Sequence, residues 1–173
     1  AVDRLLFSEC PSARVSLPGG FSAQREYDRL LLTAGSPAAF EPVTLLAGES
    51  AVLQPLGLRV CCEWQENFSE IQNTLSTFAV KCDTIGSTTQ ILFRPRRTHD
   101  EMRVSGGRKT LKKLMIDRKI PLDRRDLLPV AADEHGILGV YGIGVNLDRA
   151  AAPGDRAVII RIEELEKEDS LYD

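Results

Sequence analysis

The stretch SGGRKTLKKLMIDRKIPLDRRDLLP, residues 105–129, decides the predicted fold of this chain. Its glycine pair predicts a loop that opens a helix from about residue 109 to 118, and Pro121 predicts the start of a second short helix. At ~100° per residue of an α-helix, Leu111, Leu114 and Met115 fall on one arc. The basic residues on the opposite side are Arg108, Lys109, Lys112, Lys113 and Lys119. The pattern therefore indicates a basic amphipathic helix whose apolar face contacts a core.

Short apolar runs on both sides of this helix predict strands, several of them in hairpins. They cover residues 13–17, 21–26, 28–33, 43–46, 56–62, 78–82, 90–93, 130–132, 137–145 and 157–162, with a turn at 133–136. The predicted fold class is α+β and mainly β, with a compact β-rich module followed by a small α/β module that carries the basic helix. We place these modules at residues 1–75 and 76–165, with an acidic tail at 166–173.

Length and composition exclude several classes of protein. A chain of 173 residues with 43% hydrophobic positions fits one large domain or two small ones. No apolar run approaches the ~18 residues of a membrane-spanning helix, and the start has no signal-peptide pattern, so we expect no membrane partner. The first residue is not Met, which indicates a piece of a longer protein.

The cysteines and histidines predict no metal site. No C-x-x-C pair occurs, and adjacent Cys61 and Cys62 cannot lie on one face of a strand to bind one ion. His99 and His135 are the only histidines, which leaves too few well-spaced ligands for a zinc cluster. We therefore interpret the four cysteines as buried, reduced thiols, which favours a cytoplasmic protein. They are Cys10, Cys61, Cys62 and Cys82.

Charge is segregated along the chain. Residues 94–125 hold twelve basic and four acidic side chains, a net charge of +8, although the whole chain carries −3. A basic block in an acidic protein is typical of a site where a polyanion binds. The alternative is a solvated helix face, but pairs of opposite charge at helical spacing are sparse here. We favour the polyanion interpretation.

No local motif predicts catalysis. Gly106 and Gly107 offer backbone N–H groups to a phosphate, although an ordinary loop is the more common use of such a pair. The Walker and dinucleotide-binding glycine patterns are both incomplete, and no nucleophile and base lie in a known context. Trp64 and Tyr141 are too few for a base-stacking sheet. Contacts to phosphate and sugar are therefore the expected mode of binding.

The ordered motifs resemble the C-terminal region of bacterial tRNA(Ile)-lysidine synthetase. Family members carry a glycine, a Lys-Leu-Lys-Lys-like helix start, Asp-x-Lys-Ile-Pro and Arg-Asp-x-x-Pro, which read here as TLKKL, DRKIP and RDLLP within residues 110–129. The flanking segments LFRPRR (92–97) and GILGVYG (136–142) also resemble the family. A weaker similarity extends to LPGGFSAQREY (17–27). One departure is Glu101, where the family often has a basic residue.

The resemblance implies a function for a longer protein. The family's enzyme is a ligase in tRNA processing: it activates the wobble cytidine of an isoleucine tRNA with CAU anticodon, using ATP and magnesium, and joins lysine to it. Its Ser-Gly-Gly-x-Asp-Ser nucleotide-binding loop is absent here, since Ser105 to Gly107 continue into Arg108. We therefore expect no catalytic residue and no cofactor in this chain.

The resemblance also implies how the chain is used. The family's C-terminal part resembles a domain of the phenylalanyl-tRNA synthetase β chain and holds the tRNA body and acceptor stem. An unrecognised enzyme site and a protein-interaction module remain alternatives, and the sequence does not decide between a monomer and a homodimer. The candidate RNA-binding residues, of which the helix lysines rank first, are Arg94, Arg97, Gly106, Gly107, Arg108, Lys109, Lys112, Lys113, Arg118 and Lys119.

Overall fold

A computed structural model describes residues 14–16, 21–26, 29–34, 40–69, 73–81 and 90–165. The chain forms two compact units. One comprises Ala1–Ala38 with Pro121–Asp123, and the other comprises Ala39–Ile120 with Arg124–Asp173. The first unit holds an antiparallel meander of β1 (Arg14–Ser16), β2 (Phe21–Glu26) and β3 (Arg29–Ala34). The strands predicted at residues 13–17, 21–26 and 28–33 are thus confirmed.

The two larger sheets of the second unit are antiparallel. The first runs in the order β13-β12-β11-β8-β4 and the second in the order β5-β6-β14-β7. The strands of the first sheet are β4 (Val43–Leu46), β8 (Gln90–Arg94), β11 (Val130–Asp133), β12 (Gly136–Val140) and β13 (Gly144–Val145). Those of the second are β5 (Ser50–Leu53), β6 (Leu58–Gln65), β7 (Thr77–Lys81) and β14 (Ala157–Glu164).

One apolar core joins the two sheets. Phe93 and Leu138 of the five-stranded sheet lie in the same buried cluster as Phe78 and Ile160 of the four-stranded sheet. The alternation of each strand directs these side chains inward, as in a β-sandwich. We predicted a module boundary at residue 75. Strands before and after this residue pair with each other: β4 pairs with β8, and β6 pairs with β14.

The outer face of the five-stranded sheet carries the helix. Helix α1 (Leu111–Asp117) buries Leu111, Leu114 and Met115 in a second cluster with residues of β11 and β12. A β-bulge at Ala131/Ala132 changes the register between β11 and β12. The predicted fold class, α+β and mainly β, and the predicted apolar face of the helix are both confirmed.

The segment before the helix differs from the prediction. Residues 107–110 do not belong to α1; they form strand β10 (Gly107–Thr110), which pairs with β9 (Glu101–Val104). Gly107 has φ +98°, and the glycine pair belongs to the turn of a hairpin instead of a loop before a helix. The helix begins at Leu111, two residues after the predicted start, and the Thr110 side chain caps it by accepting a hydrogen bond from the N–H of Lys113. After the helix, residues Leu122–Leu127 form the predicted second short helix as a 3₁₀ turn.

Candidate nucleic-acid interface

The loop at residues 95–100 is fixed by a buried ion pair. Arg94 is 5% exposed, and its two terminal nitrogens each donate to one oxygen of Asp100 at 2.8 Å. Asp100 also accepts from the N–H of Arg97 at 2.6 Å. Burial by itself raises the pKa of Asp100, but the hydrogen bonds from Arg94 and Arg97 outweigh it and keep this pKa below its usual value.

The same loop is tied to the start of α1. The carbonyl of Asp100 accepts a hydrogen bond from the N–H of Leu111 at 2.8 Å. The Arg94–Asp100 pair therefore sets the position of Arg97 relative to the first turn of the helix. Lys112 and Lys113 lie in that turn, and both are exposed, opposite the buried residues of α1.

Three further candidates lie next to the ends of the helix. Lys119 is exposed and has φ +55°, the left-handed conformation that commonly ends a helix. Arg118 is exposed too, but its guanidinium donates to the carbonyl of Gly142 at 3.2 Å. Lys109 reaches along the helix to Asp117, with 3.0 Å between Nζ and Oδ2.

The hairpin β9–β10 carries paired arginines. Arg108 donates to Glu101 at 3.1 Å and to Asp148 at 2.8 Å. The hydrogen bond to Glu101 and the charge of Asp148 raise the pKa of Arg108 above its usual value. Arg103, which the sequence analysis did not select, pairs with Asp148 at 3.7 Å. Its only sequence signal was its place in the basic block.

The candidates therefore separate into three groups. Arg94 is buried, and both of its terminal nitrogens donate to Asp100. Arg108, Lys109 and Arg118 are accessible but each has a partner within the protein. The remaining cations have no ion-pair partner among the described residues, and we call them the basic surface: Arg97, Lys112, Lys113 and Lys119. Gly106 lies exposed at the hairpin turn with Gly107.

Other sequence predictions concern cysteines, metals and membranes. Cys61 and Cys62 are free, and burial above all raises the pKa of Cys62 to about 12. Cys10, Cys82 and the tail 166–173 lie outside the described residues. Within the described ranges, no cluster of three or more ligating side chains could hold a metal ion. In that same part of the chain, no helix is long and apolar enough to cross a bilayer.

Comparisons with known proteins agree on one family. The family model of the TilS substrate C-terminal domain matches residues 91–163. A tRNA(Ile)-lysidine synthase of Geobacillus kaustophilus is 30% identical over 154 residues, which cover 87% of this chain and 33% of that protein. The bifunctional protein TilS/HprT of Listeria monocytogenes is 30% identical over 165 residues, covering 91% of this chain and 25% of that protein.

A solved structure supports the same relationship. A crystal structure of a TILS C-terminal domain superposes with a TM-score of 0.61 at 26% identity, covering 73% of this chain and 100% of that one. This chain spans a third or less of the length of the two relatives described above.

Proposed function

Because this chain belongs to the tRNA(Ile)-lysidine synthase family, with the TilS substrate C-terminal domain at residues 91–163, we propose that it holds the body and acceptor stem of an isoleucine tRNA. The observation that carries the proposal is the basic surface. Four exposed cations without an ion-pair partner among the described residues lie on the 95–100 loop, in the first turn of α1 and just after its end, in a protein whose net charge is −3.

The geometry favours contacts to the RNA backbone. Lys112 and Lys113 lie in the first turn of α1, and Arg97 lies on the loop that hydrogen-bonds to that turn. An A-form stem presents phosphates and 2′-hydroxyls across a wide, shallow minor groove, which side chains of this length can reach without reading bases. Contacts of this kind position an RNA, and they leave the selection of the modified base to another part of the protein.

The chemistry of the whole protein is proposed by family membership. It would be a ligase that joins lysine to the wobble cytidine of isoleucine tRNA, with ATP and magnesium bound by a part that this chain does not contain. We propose that this chain contributes RNA binding alone, with no catalytic residue and no cofactor. The cytoplasmic location follows from the same role. Sedimentation of the chain decides between a monomer and a homodimer.

The test is direct binding of RNA. A filter assay would use an isoleucine tRNA with CAU anticodon and follow the parent chain, Lys113→Ala and the control Arg59→Ala. Arg59 is exposed on β6 of the four-stranded sheet, so its removal changes the net charge equally without touching the basic surface. We expect Lys113→Ala to weaken binding several-fold and Arg59→Ala to leave it near the parental value. A folded parent chain that binds no tRNA would contradict the proposal.

A further inference from the structure

The arginines of the hairpin β9–β10 lie between two carboxylates. Arg103 and Arg108 are directly opposite each other in the register of the two strands, where like charges repel. Asp148 contacts both, with its Oδ2 2.8 Å from Arg108 and its Oδ1 3.7 Å from Arg103. Glu101 contacts the other terminal nitrogen of Arg108 at 3.1 Å. Both anions therefore occupy places where an RNA phosphate would bind a guanidinium.

These carboxylates are accessible to exchange. The side chains of Arg108, Glu101 and Asp148 are 60%, 48% and 33% exposed. Exposed pairs of this kind contribute little to stability and are screened by salt. A polar cavity of about 260 Å³ lies beside the pair, lined by Arg108, Asp148 and Asn146 among others. It leaves room for a phosphate group to approach Arg108.

The backbone around the pair does not depend on the carboxylates. The Arg103 N–H donates to the side chain of Asn146 at 3.0 Å, and the Arg103 carbonyl accepts from the N–H of Leu147 at 2.9 Å. The Asn146 amide also donates to the carbonyl of Ile137 at 2.8 Å. The hairpin and the loop that carries Asp148 are thus joined by neutral hydrogen bonds, which stay when a carboxylate is removed.

We propose that Glu101 and Asp148 are specificity-determining residues that compete with RNA phosphates for Arg103 and Arg108. The inference rests on the proposed function. An A-form stem held by the basic surface presents its phosphates to Arg108 at high local concentration and displaces the carboxylates. A polyanion that does not fit the basic surface has no such advantage, so the carboxylates exclude it from the hairpin.

The experiment compares two nucleic acids and two double variants. The probes are isoleucine tRNA and a B-form DNA duplex with a similar number of phosphates, each titrated at several salt concentrations. The variant Glu101→Gln/Asp148→Asn removes two charges at the hairpin. The control Glu41→Gln/Glu163→Gln removes two exposed charges outside the hairpin, one just before β4 and one on β14. The single variant Glu101→Gln, which leaves Asp148 between the arginines, is measured as well in case the double variant fails to fold.

The inference predicts a loss of discrimination. The hairpin double variant should bind the DNA duplex roughly three- to tenfold more tightly, and the salt slope for DNA should steepen by about one unit for each arginine that gains a phosphate. Its tRNA slope should stay near the parental value, because tRNA already engages these arginines. The single variant should shift DNA affinity in the same direction by a smaller factor, and the control should shift neither probe more than about twofold.

Three results would count against it. Unchanged DNA affinity and slope in the hairpin variants, with parental tRNA binding intact, would overturn this inference alone. Equal shifts of DNA affinity in the hairpin and control variants would overturn it too, since they would show that only the net charge of the protein matters. A parent chain that binds neither probe would overturn the proposed function and this inference with it.

Discussion

Replacing Asp100 with Asn tests whether the buried ion pair organises the candidate site. In the parent, the side chains of Arg94 and Asp100 are 6% and 10% exposed and share two hydrogen bonds of 2.8 Å. The variant leaves the Arg94 charge buried without a counter-charge. Breaking such a pair on one side costs ~3–5 kcal/mol. Because Asn keeps one acceptor oxygen, we expect a loss of about 3 kcal/mol.

Urea unfolding, followed by far-UV circular dichroism, measures this loss. The control is Asp126→Asn, because Asp126 pairs with Arg96 at 2.7 Å but is 61% exposed. An exposed pair of this kind contributes ~0–1 kcal/mol. Adding Arg94→Met to the Asp100→Asn background should recover much of the lost stability, since it removes the unpaired buried charge. A loss below about 1 kcal/mol for Asp100→Asn would refute the reasoning.

The pH dependence of stability gives a second measure of the same pair. The pKa of Asp100 is lower in the folded chain than its ordinary value. The stability that it contributes is therefore present above the unfolded pKa and is lost as the pH falls through the folded pKa. Asp100→Asn should flatten this acid limb. An unchanged acid limb in the variant would show that protonation of other carboxylates causes the loss of stability at low pH.

Three further predictions concern buried positions. Leu114→Ala should lower the free energy of unfolding by about 2–5 kcal/mol, because the Leu114 side chain is buried beneath α1. Lys113→Ala should change stability little, because Lys113 is exposed. Equal melting temperatures of the two variants would refute the assignment of the buried face of the helix. Gly139→Ala should cost ~1–3 kcal/mol, because a Cβ there would lie 2.7 Å from the ring of Phe78, and Phe78→Leu in the same chain should recover part of the loss in chemical denaturation. Because its pKa is about 12, buried Cys62 should resist iodoacetamide at pH 8 in the folded chain and react in urea, and peptide mapping that finds equal labelling would contradict its burial.

The sequence predicted the helix face because its periodicity is local. Leu111, Leu114 and Met115 repeat at helical spacing, and all three are buried, while Lys112 and Lys113 are exposed. The hairpin with its turn at residues 133–136 could also be predicted from the sequence, since turn residues there separate two apolar runs. Such patterns depend on neighbours in the chain, so one sequence suffices to recognise them.

The hairpin β9–β10 shows where local reasoning fails. Residues 107–110 read as Gly-Arg-Lys-Thr, without the alternation of apolar and polar residues that indicates a strand. Their pairing with β9 decides their conformation, and the partner side chains of Arg108 lie at residues 101 and 148. Thr110 immediately before the apolar run was the available signal for the true helix start.

Arg94 and Arg97 differ in burial, which composition alone could not predict. Arg94 and Arg97 both belong to the basic block, but only Arg94 points into the protein, where Asp100 neutralises it. The helix lysines were the first-ranked candidates, and within the described residues Lys112 and Lys113 have no carboxylate partner. Which cations remain available to a ligand depends on contacts between distant segments, such as Arg108 with Asp148.

The salt dependence of tRNA binding tests the central claim most directly. If the four cations of the basic surface each contact a phosphate, they should contribute about −3.6 to the slope of log K against log salt, from −0.9 per contact on a B-DNA-like duplex. Lys112→Ala/Lys113→Ala should flatten that slope by about 1.8 while circular dichroism stays parental. A folded double variant that keeps the parental affinity and slope would show that this face of α1 does not bind tRNA.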